Sequence, residues 1–388
     1  MSHNILAINN CCGCRSCEQV CPQRCISLKE NEEGFLYPEV DSEKCVNCGL
    51  CLKRCPQLAY EFKNKVLETY AALNSDYNTL MRSTSGGAMS AFAAAILKNN
   101  GVVFGTRLDT KDWKVKFDSI ASHDRIDAFR GSKYVQADTL DSYTKVKEYL
   151  VNDRVVLFVG TPCQVAGLYK CIEGTNTEKL FTIDILCHGV PAPGLFVKHV
   201  EYLEKKYKAK LTGFAFRDKT KFPNKTALCY EFGRKKVYVL GRCEEYFEVF
   251  ISGSAYRECC YDCKFAQQKR VGDITIGDFW GIKNHHKDFD NRNGVSLILI
   301  NTDKGNDLLN QSNLRIEKSK IEYAVEGNGI LEHPSSKSSC REIFYKDVNL
   351  YGYGSAIKKN IKTYPKIYNA ILTHIPRFFI DILAQIKK

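Results

Sequence analysis

The chain has 388 residues, 44% of them hydrophobic and 26% charged, with a formal net charge of +12. That balance excludes a disordered or low-complexity chain and fits a soluble globular protein of two or three domains with a substantial core. Cysteine is the outlier, at nineteen. Residues 1–10 show neither the cationic start nor the apolar stretch of an export signal, so the expectation is thiolate ligands in a reducing cytoplasm rather than disulfides. No apolar run reaches the roughly 18 residues of a membrane-spanning helix. A basic surface would favour an acidic partner such as a small ferredoxin-like electron carrier. Nucleic acid is set aside, because the basic residues are spread along the chain and no recognition motif accompanies them.

Two stretches near the start, CCGCRSCEQVCP and CVNCGLCLKRCP, repeat the pattern C-x2-C-x2-C-x3-C-P. This is the run of bacterial two-cluster ferredoxins, in which three close cysteines wrap one cluster and the fourth ligates the other. The spacing predicts one [4Fe-4S] cluster on Cys11, Cys14, Cys17 and Cys55, and a second on Cys45, Cys48, Cys51 and Cys21. Zinc would take its four ligands in two pairs and leave the twice-repeated rhythm unexplained. Cys12 and Cys25 fall outside the spacing and read as free thiols. Residues 1–62 are therefore expected to form a two-[4Fe-4S] ferredoxin-like domain.

Beyond it the pattern changes. TYAALN reads as a strand, STSGGAMSAFAAAILKNN as a loop feeding an alanine-rich helix, and GVVFGTRL as a strand. SYTKVKEYLVND is a helix, RVVLFVG a buried strand, TPCQVAGLYKCI a helix start and LFTIDILCHG another strand, with a helix at PGLFVKHVEYLEKKY. Apolar strands alternating with helices predict a mainly parallel α/β sheet covered on both faces, over residues 63–205. LTGFAFRD, TALCYEF and KVYVL read as antiparallel strands of an α+β domain over 206–345, the split near 205 being soft.

A second question is set by the pair Cys260 and Cys263, spaced as metal ligands but with no further pair after it. Cys163 lies just past RVVLFVG and Cys187 just past LFTIDIL, 24 residues later, about one strand–helix–strand unit. Parallel strands joined by such a crossover end on the same sheet edge, where open α/β sheets bind ligands. If the loop carrying Cys260 and Cys263 folds over that edge, four thiolates converge on a third [4Fe-4S] cluster. The alternative is that Cys163 and Cys187 are small buried residues and the 260/263 pair a zinc half-site or free thiols. Cys259 is placed to substitute for Cys260.

At Ser83–Ala88, STSGGA sits between a strand and a helix, where hydroxyls and backbone N–H groups at a helix start can cradle phosphate. The competing reading is a simple Ser/Thr helix cap. No G-x-G-x-x-G or P-loop motif is present. Taken in order behind the two-cluster module, STSGGA, GSKYVQAD, GTPCQVAGL, DILCHGVPAPG and CYDCKF…DITIGDFWG resemble the coenzyme F420 hydrogenase/dehydrogenase beta-subunit family. The likeness covers roughly residues 8–310.

The resemblance implies an iron–sulfur flavoprotein oxidoreductase binding FAD, or FMN, and passing electrons between clusters and coenzyme F420 or another small-molecule substrate. It supports the third cluster on Cys163, Cys187, Cys260 and Cys263. Carried over motif by motif, Ser83, Thr84, Ser85, Gly86 and Gly87 become candidates for the flavin phosphates or ribityl chain. Gly131, Ser132, Lys133 and Tyr134 become candidates for the isoalloxazine side, with Lys133 stabilising an anionic reduced flavin. His188 is read as a proton relay or as packing beside Cys187, and Asp278, Phe279 and Trp280 as pocket walls or a structural turn. The rival expectation is a non-catalytic electron-transfer subunit of a larger hydrogenase or dehydrogenase complex, serving a partner oxidoreductase subunit. Residues 346–388 are basic and aromatic and read as an amphipathic tail, docking on its own domain, on a partner or on a membrane surface.

Overall fold

The apolar runs converge on one sheet. In the computed structural model, which describes residues 5–8, 10–222, 226–290 and 292–365, the cysteine-rich module contributes a hairpin of β1 (Ile26–Glu30) and β2 (Leu36–Val40). The body follows with β3 (Glu68–Asn74), β4 (Val102–Asp109), β5 (Lys114–Ile120), β6 (Val156–Gly160) and β7 (Leu180–Ile185). Next come β8 (Gly213–Ala215), β9 (Ala227–Phe232) and β10 (Lys235–Leu240), then β11 (Ile274–Asp278), β12 (Ser296–Ile300) and β13 (Leu314–Ser319). The large sheet has eight strands in the order β13-β3-β12-β11-β7-β6-β4-β5, and β10-β9-β8 form a separate antiparallel sheet.

Burial on both faces explains the unbroken apolar strands. Val156 and Phe158 of β6 pack with Tyr143, Val165 and Leu168 from the helices Ser142–Val151 and Pro162–Cys171. Leu157, between them, points to the other face and meets Phe92 and Ile96 of the helix Ala88–Lys98. Successive side chains alternate across a strand, so a sheet sandwiched by helices needs an apolar residue at each position.

The sheet is mixed rather than mainly parallel, which corrects the expectation from sequence. Only β4, β6, β7 and β11 run parallel, paired in the order β4-β6-β7-β11. β5 returns on β4 as an antiparallel hairpin, and β12, β3 and β13 add three antiparallel pairs on the other side. SLILI of β12 is buried at all five positions yet runs antiparallel to both neighbours. Double-sided burial dictates composition, not direction. The sheet also takes β11, β12 and β13 from beyond residue 205, so that boundary does not divide it.

The parallel centre places the carboxyl ends of β6, β7 and β11 side by side, and two polar devices fix what lies above them. Asp184 of β7 is fully buried and fully bonded: it accepts from Arg270 Nη2 (2.7 Å), Thr275 Oγ1 (2.8 Å) and the amides of Val271 and Gly272 (3.0 and 2.8 Å). This cluster holds the segment after Cys263 against the sheet. The module is seated by close backbone contact at Gly34 and Gly194, where a Cβ on Gly34 would stand 2.9 Å from Gly194 Cα. Gly34 also has φ +85°, so both space and conformation exclude a side chain.

The tail is partly a packed element. The helices Arg341–Tyr351 and Tyr353–Asn360 bury Phe344, Val348, Ala356 and Ile357 with Phe35 of the module and Leu195 of the body. The final stretch, IPRFFIDILAQIKK, lies outside the described residues. Among the described residues no helix is long and apolar enough to cross a membrane.

Removing one partner of a buried, hydrogen-bonded ion pair leaves an uncompensated charge at a cost of about 3–5 kcal/mol. Asp184→Ala is therefore expected to lower stability by that order in anaerobic urea unfolding, and Asp184→Asn, which keeps an acceptor oxygen for the amides and Arg270, to lose less. A loss below about 1 kcal/mol in the alanine variant would show that the pair does not pin this loop.

Candidate functional site

The ferredoxin-type cysteines stand as two interleaved groups. Cys14, Cys17 and Cys55 are buried, and Cys55 sits close enough to Cys11, Cys14 and Cys17 for their charges to interact. Burial first, then Cys11 and Cys55, push the Cys17 thiol upward. On the other side, Cys21 and Cys45 both neighbour Cys25, and Cys51 neighbours Cys48. Cys11, Cys14, Cys17 and Cys55, from two distant runs, are thus neighbours on the first side, while on the second the contacts join Cys21 to Cys45 through Cys25 and Cys48 to Cys51. Among the described residues no three His, Cys, Asp or Glu close on one point as the ligands of a single ion would. Cys25, expected to be free, lies with its Sγ 3.4 Å from that of Cys21. Cys48 is the exposed member of the eight.

The body brings together a third set. β6 ends at Gly160, Thr161 donates its amide to Gln164 Oε1 (3.0 Å), and Pro162 opens the helix, so Cys163 stands in the first turn with its Sγ 3.2 Å from Thr161 Oγ1. β7 lies parallel and adjacent, and Cys187 emerges just after it, within charge interaction of Cys163 and Cys263. Burial, then Cys163, push the Cys187 and Cys263 thiols up to about 12. A small cavity of about 40 Å³ is lined by Cys163, Cys187, Cys260 and Cys263, and also by Cys12 and Cys259. Cys12 is therefore no bystander: its thiol contacts both Cys14 of the module and Cys163 of the body. It carries no ligand spacing, and only the docking of module on body reveals it.

That docking is made largely of hydrogen bonds to the cysteine loop's own carbonyls. Gln136 Nε2 donates to Cys12 O (2.8 Å), Thr139 Oγ1 to Cys14 O (3.0 Å) and Arg257 Nε to Cys11 O (2.6 Å). Arg15 Nη2 donates to Asp138 Oδ2 (2.9 Å) from the module side. The stretch QAD within GSKYVQAD, together with Thr139, is thus a docking strip for the module.

Next to the thiols opens a cavity of about 520 Å³. Its walls include Ser83, Thr84, Ser85 and Gly87, the run Gly131–Tyr134, His188, Asp278 and Trp280. Thr84 Oγ1 accepts from the Ser132 amide (2.7 Å), joining the two sequence motifs directly. Two candidates turn away. Gly86 faces the sheet, where a Cβ would stand 2.1 Å from Ala72 O, so its role is close packing. Phe279 is buried in a core with Leu297, Leu299 and Leu331.

The hydroxyls of STSGGA do not cap the start of the helix that follows. Ser83 Oγ donates to Thr79 O at the end of the preceding helix and Ser85 Oγ to Val295 O, while Gly87, with φ +81°, starts the Ala88–Lys98 helix with no side chain of its own to cap it, the Ala88 amide reaching Ser296 Oγ at 3.5 Å. Met89 and Ser90 of that first turn line the cavity. An anion is the natural partner of such an end.

Charge in this cavity is mostly positive. Lys133 is half-buried with Nζ donating to Phe129 O and Arg130 O (both 3.0 Å), and desolvation depresses it to about 7. Arg217 pairs with Asp278 and packs over Trp280, 5.9 Å from its ring centre. Lys219 clamps the STSGGA loop by donating to Ser85 O (2.7 Å) and Asn293 O (2.6 Å); burial and Arg217 lower it to about 8. His188 is lowered mainly by desolvation, offset by Asp278, and stays neutral at physiological pH. Arg217 and Lys219 escaped the sequence reading because they follow a three-residue strand, with no motif around them.

Comparison with known proteins places these features. Residues 153–323 match the family model for the carboxyl-terminal part of the coenzyme F420 hydrogenase/dehydrogenase beta subunit, and residues 10–59 match the "4Fe-4S dicluster domain". One component of the F(420)H(2) dehydrogenase of Methanosarcina mazei is 22% identical over 185 residues, covering 46% of this chain and 53% of that one. The coenzyme F420-dependent sulfite reductase of Methanocaldococcus jannaschii is 24% identical over 324 residues, covering 79% of this chain and 46% of that one. The chain spans about half the length of these curated relatives. A chain of the F420-reducing [NiFe] hydrogenase complex from Methanosarcina barkeri superposes with a TM-score of 0.45 at 16% identity, over 76% of this chain and 91% of that one.

Thiol reactivity follows exposure and thiolate content. In reduced, iron-free protein at pH 8, iodoacetamide is expected to alkylate exposed Cys48 at least about 100-fold faster than buried Cys12 and Cys259 and half-buried Cys163, whose thiols are held well above their ordinary range. Timed peptide mapping by mass spectrometry checks this. Equal rates would mean that the module does not stay docked without iron.

Proposed function

Because the chain belongs to the coenzyme F420 hydrogenase/dehydrogenase beta-subunit family and carries a 4Fe-4S dicluster module, we propose that it is an iron–sulfur flavoprotein oxidoreductase. Electrons pass between a ferredoxin-type carrier or a partner oxidoreductase subunit and a small molecule, with coenzyme F420 the first candidate from the names of its relatives. Two clusters occupy the module, a third takes Cys163, Cys187, Cys260 and Cys263, and FAD occupies the large cavity.

One observation carries this reading. The thiol-lined cavity and the 520 Å³ cavity share their walls: Thr161, Gln164, Cys187, Gly189 and Val190 line both. A chain of thiols thus leads from the module to the rim of a pocket of ordinary ligand size. A helix start whose Met89 and Ser90 line the cavity, two serine and threonine loops and several cations suit the phosphates and ring of a flavin.

Bound there, a flavin would exchange a two-electron hydride for single electrons that clusters carry one at a time. The chain's own residues do the rest. The first-turn amides at Met89 and Ser90 hold phosphate, and Thr84 locks the two binding loops in register. Lys133 presents a cation on the ring side, where negative charge develops on reduction. Arg217, fixed by Asp278, positions the Trp280 indole over the pocket mouth. Neutral His188 accepts or returns a proton at a ring nitrogen beside the cavity.

Anaerobic purification with iron, acid-labile sulfide and flavin quantitation tests the reading. About 12 irons and one flavin per chain are expected, while about eight irons would remove the third cluster. Turnover by the isolated protein with reduced ferredoxin and F420 separates an enzyme from a subunit that only relays electrons.

Lys133 supplies a pH signature. Near pH 7 the amine is half-protonated in the flavin-free protein, and the anionic ring of a reduced flavin beside it favours the ammonium form, so binding of reduced flavin takes up a proton. Affinity for reduced FAD is then expected to fall by up to about tenfold per pH unit as pH rises above 7, until the raised bound-state value is passed. Arg130 and Arg217 in the same walls stay charged throughout. Anaerobic titration of flavin-free protein with reduced FAD, followed by tryptophan fluorescence, checks this, and Lys133→Met should bind reduced FAD more weakly at pH 7 with the slope gone. An unchanged slope in that variant would remove Lys133 from the flavin's charge environment.

A further inference from the structure

Three arginines are buried around these sites and a fourth, Arg217, is half-buried; three of the four face a carboxylate. Arg270 meets Asp184, Arg341 meets Glu33 and Arg217 meets Asp278. Arg257 does not. Its side chain is fully buried, and its donors go to neutral acceptors: Nε to Cys11 O (2.6 Å), Nη1 to Gln136 Oε1 (3.0 Å) and Nη2 to Leu36 O (2.9 Å). The guanidinium lies 4.0 Å from the Tyr37 ring centre and 5.4 Å from that of Phe35. Among the described residues no ion pair is made with it.

A buried charge without a counter-charge is heavily penalised, and an arginine cannot discharge itself by losing its proton. Something anionic must complete this place. The groups whose negative charge reaches it are the sulfurs of Cys11, Cys259 and Cys12, with the Tyr37 hydroxyl. Cys11 belongs to the first module set, while Cys12 and Cys259 line the thiol cavity of the body together with Arg257 itself. The cation therefore stands at the seam between two candidate cluster positions and is tied by a hydrogen bond to the loop that carries one of them.

We infer that Arg257 is the built-in counter-cation of the iron–sulfur relay, a positioning residue that stabilises the reduced clusters at the seam and raises their reduction potentials. The inference rests on the cluster reading given above. One-electron reduction of a cluster adds one negative charge and breaks no bond; a fixed cation nearby favours that charge, and low local dielectric strengthens the effect. Gln136 holds the guanidinium on one side and Cys12 O on the other, so the charge and the cysteine loop keep a fixed separation. Tyr37 provides an aromatic face that solvates the cation without neutralising it.

The test is a dithionite titration of the full, cluster-loaded chain, followed by electron paramagnetic resonance, in wild type, Arg257→Gln and Arg257→Lys. Iron and sulfide are measured on every sample. The glutamine variant is expected to shift the midpoint of at least one cluster signal to more negative potential, while the lysine variant stays close to wild type. Full iron content with unmoved midpoints in Arg257→Gln would overturn the inference and leave the cluster reading intact. Failure of the glutamine variant to load iron while the lysine variant loads normally would support a requirement for the charge. Failure of both variants would assign Arg257 a purely structural role and also overturn it. A wild-type chain that holds no iron would remove the cluster reading itself.

Discussion

The hydrogen bonds from the body to the backbone carbonyls of Cys11, Cys12 and Cys14 are the constraint on which the rest depends. Arg257, Gln136 and Thr139 each supply one donor, and all three side chains are buried. A ferredoxin-like module on its own offers these carbonyls to water. Here they are the anchor, and they bring the first cysteine loop against the start of the Pro162–Cys171 helix. Gly167 shows how close the approach is, since a Cβ there would stand 3.1 Å from Cys14 Sγ. The electron transfer proposed between module and body needs short distance, and this is where the two approach.

The sheet makes the other half of that encounter. Parallel pairing of β6 with β7 sets Cys163 and Cys187 on one edge, and Asp184, shortly before Cys187 in the chain, reaches back to hold the segment that follows Cys263. The same edge carries Asp278 at the end of β11, so thiol cavity and large cavity share a border by topology rather than by loop design. The antiparallel strands on either side enlarge the platform without interrupting the parallel centre, which is why a mixed sheet still behaves at this edge as a parallel one does.

Much of this was legible in the residues, and the parts that were not have physical reasons. The twice-repeated cysteine rhythm announces its ligands because a cluster demands three close thiols and a turn. The placement of Cys163 beside Cys187 follows from strand, helix and crossover alone. Strand direction was not legible: SLILI is apolar because helices cover both faces, and that holds for either direction. Gly86 and Phe279 sit inside motifs whose neighbours line the cavity, but alternation along a loop or strand end turns individual residues inward. Cys12 and Arg257 matter only after module and body meet, more than 240 residues apart in sequence, and no local pattern records such a meeting.

Charge shows the same division between what a chain total says and what a place needs. The formal +12 belongs to the whole chain, whereas residues 1–62 carry eight acidic and six basic side chains. The positive excess lies wholly beyond residue 62, much of it in the 346–388 tail, so the total is no guide to what the exposed Cys48 end of the module attracts. Within the body the cations are not spread as a generic basic face either. Lys133, Arg217 and Lys219 line or brace the large cavity, and Arg257 stands behind the thiols. Cations collected around the two cavities would favour negative charge there, as the proposed relay requires.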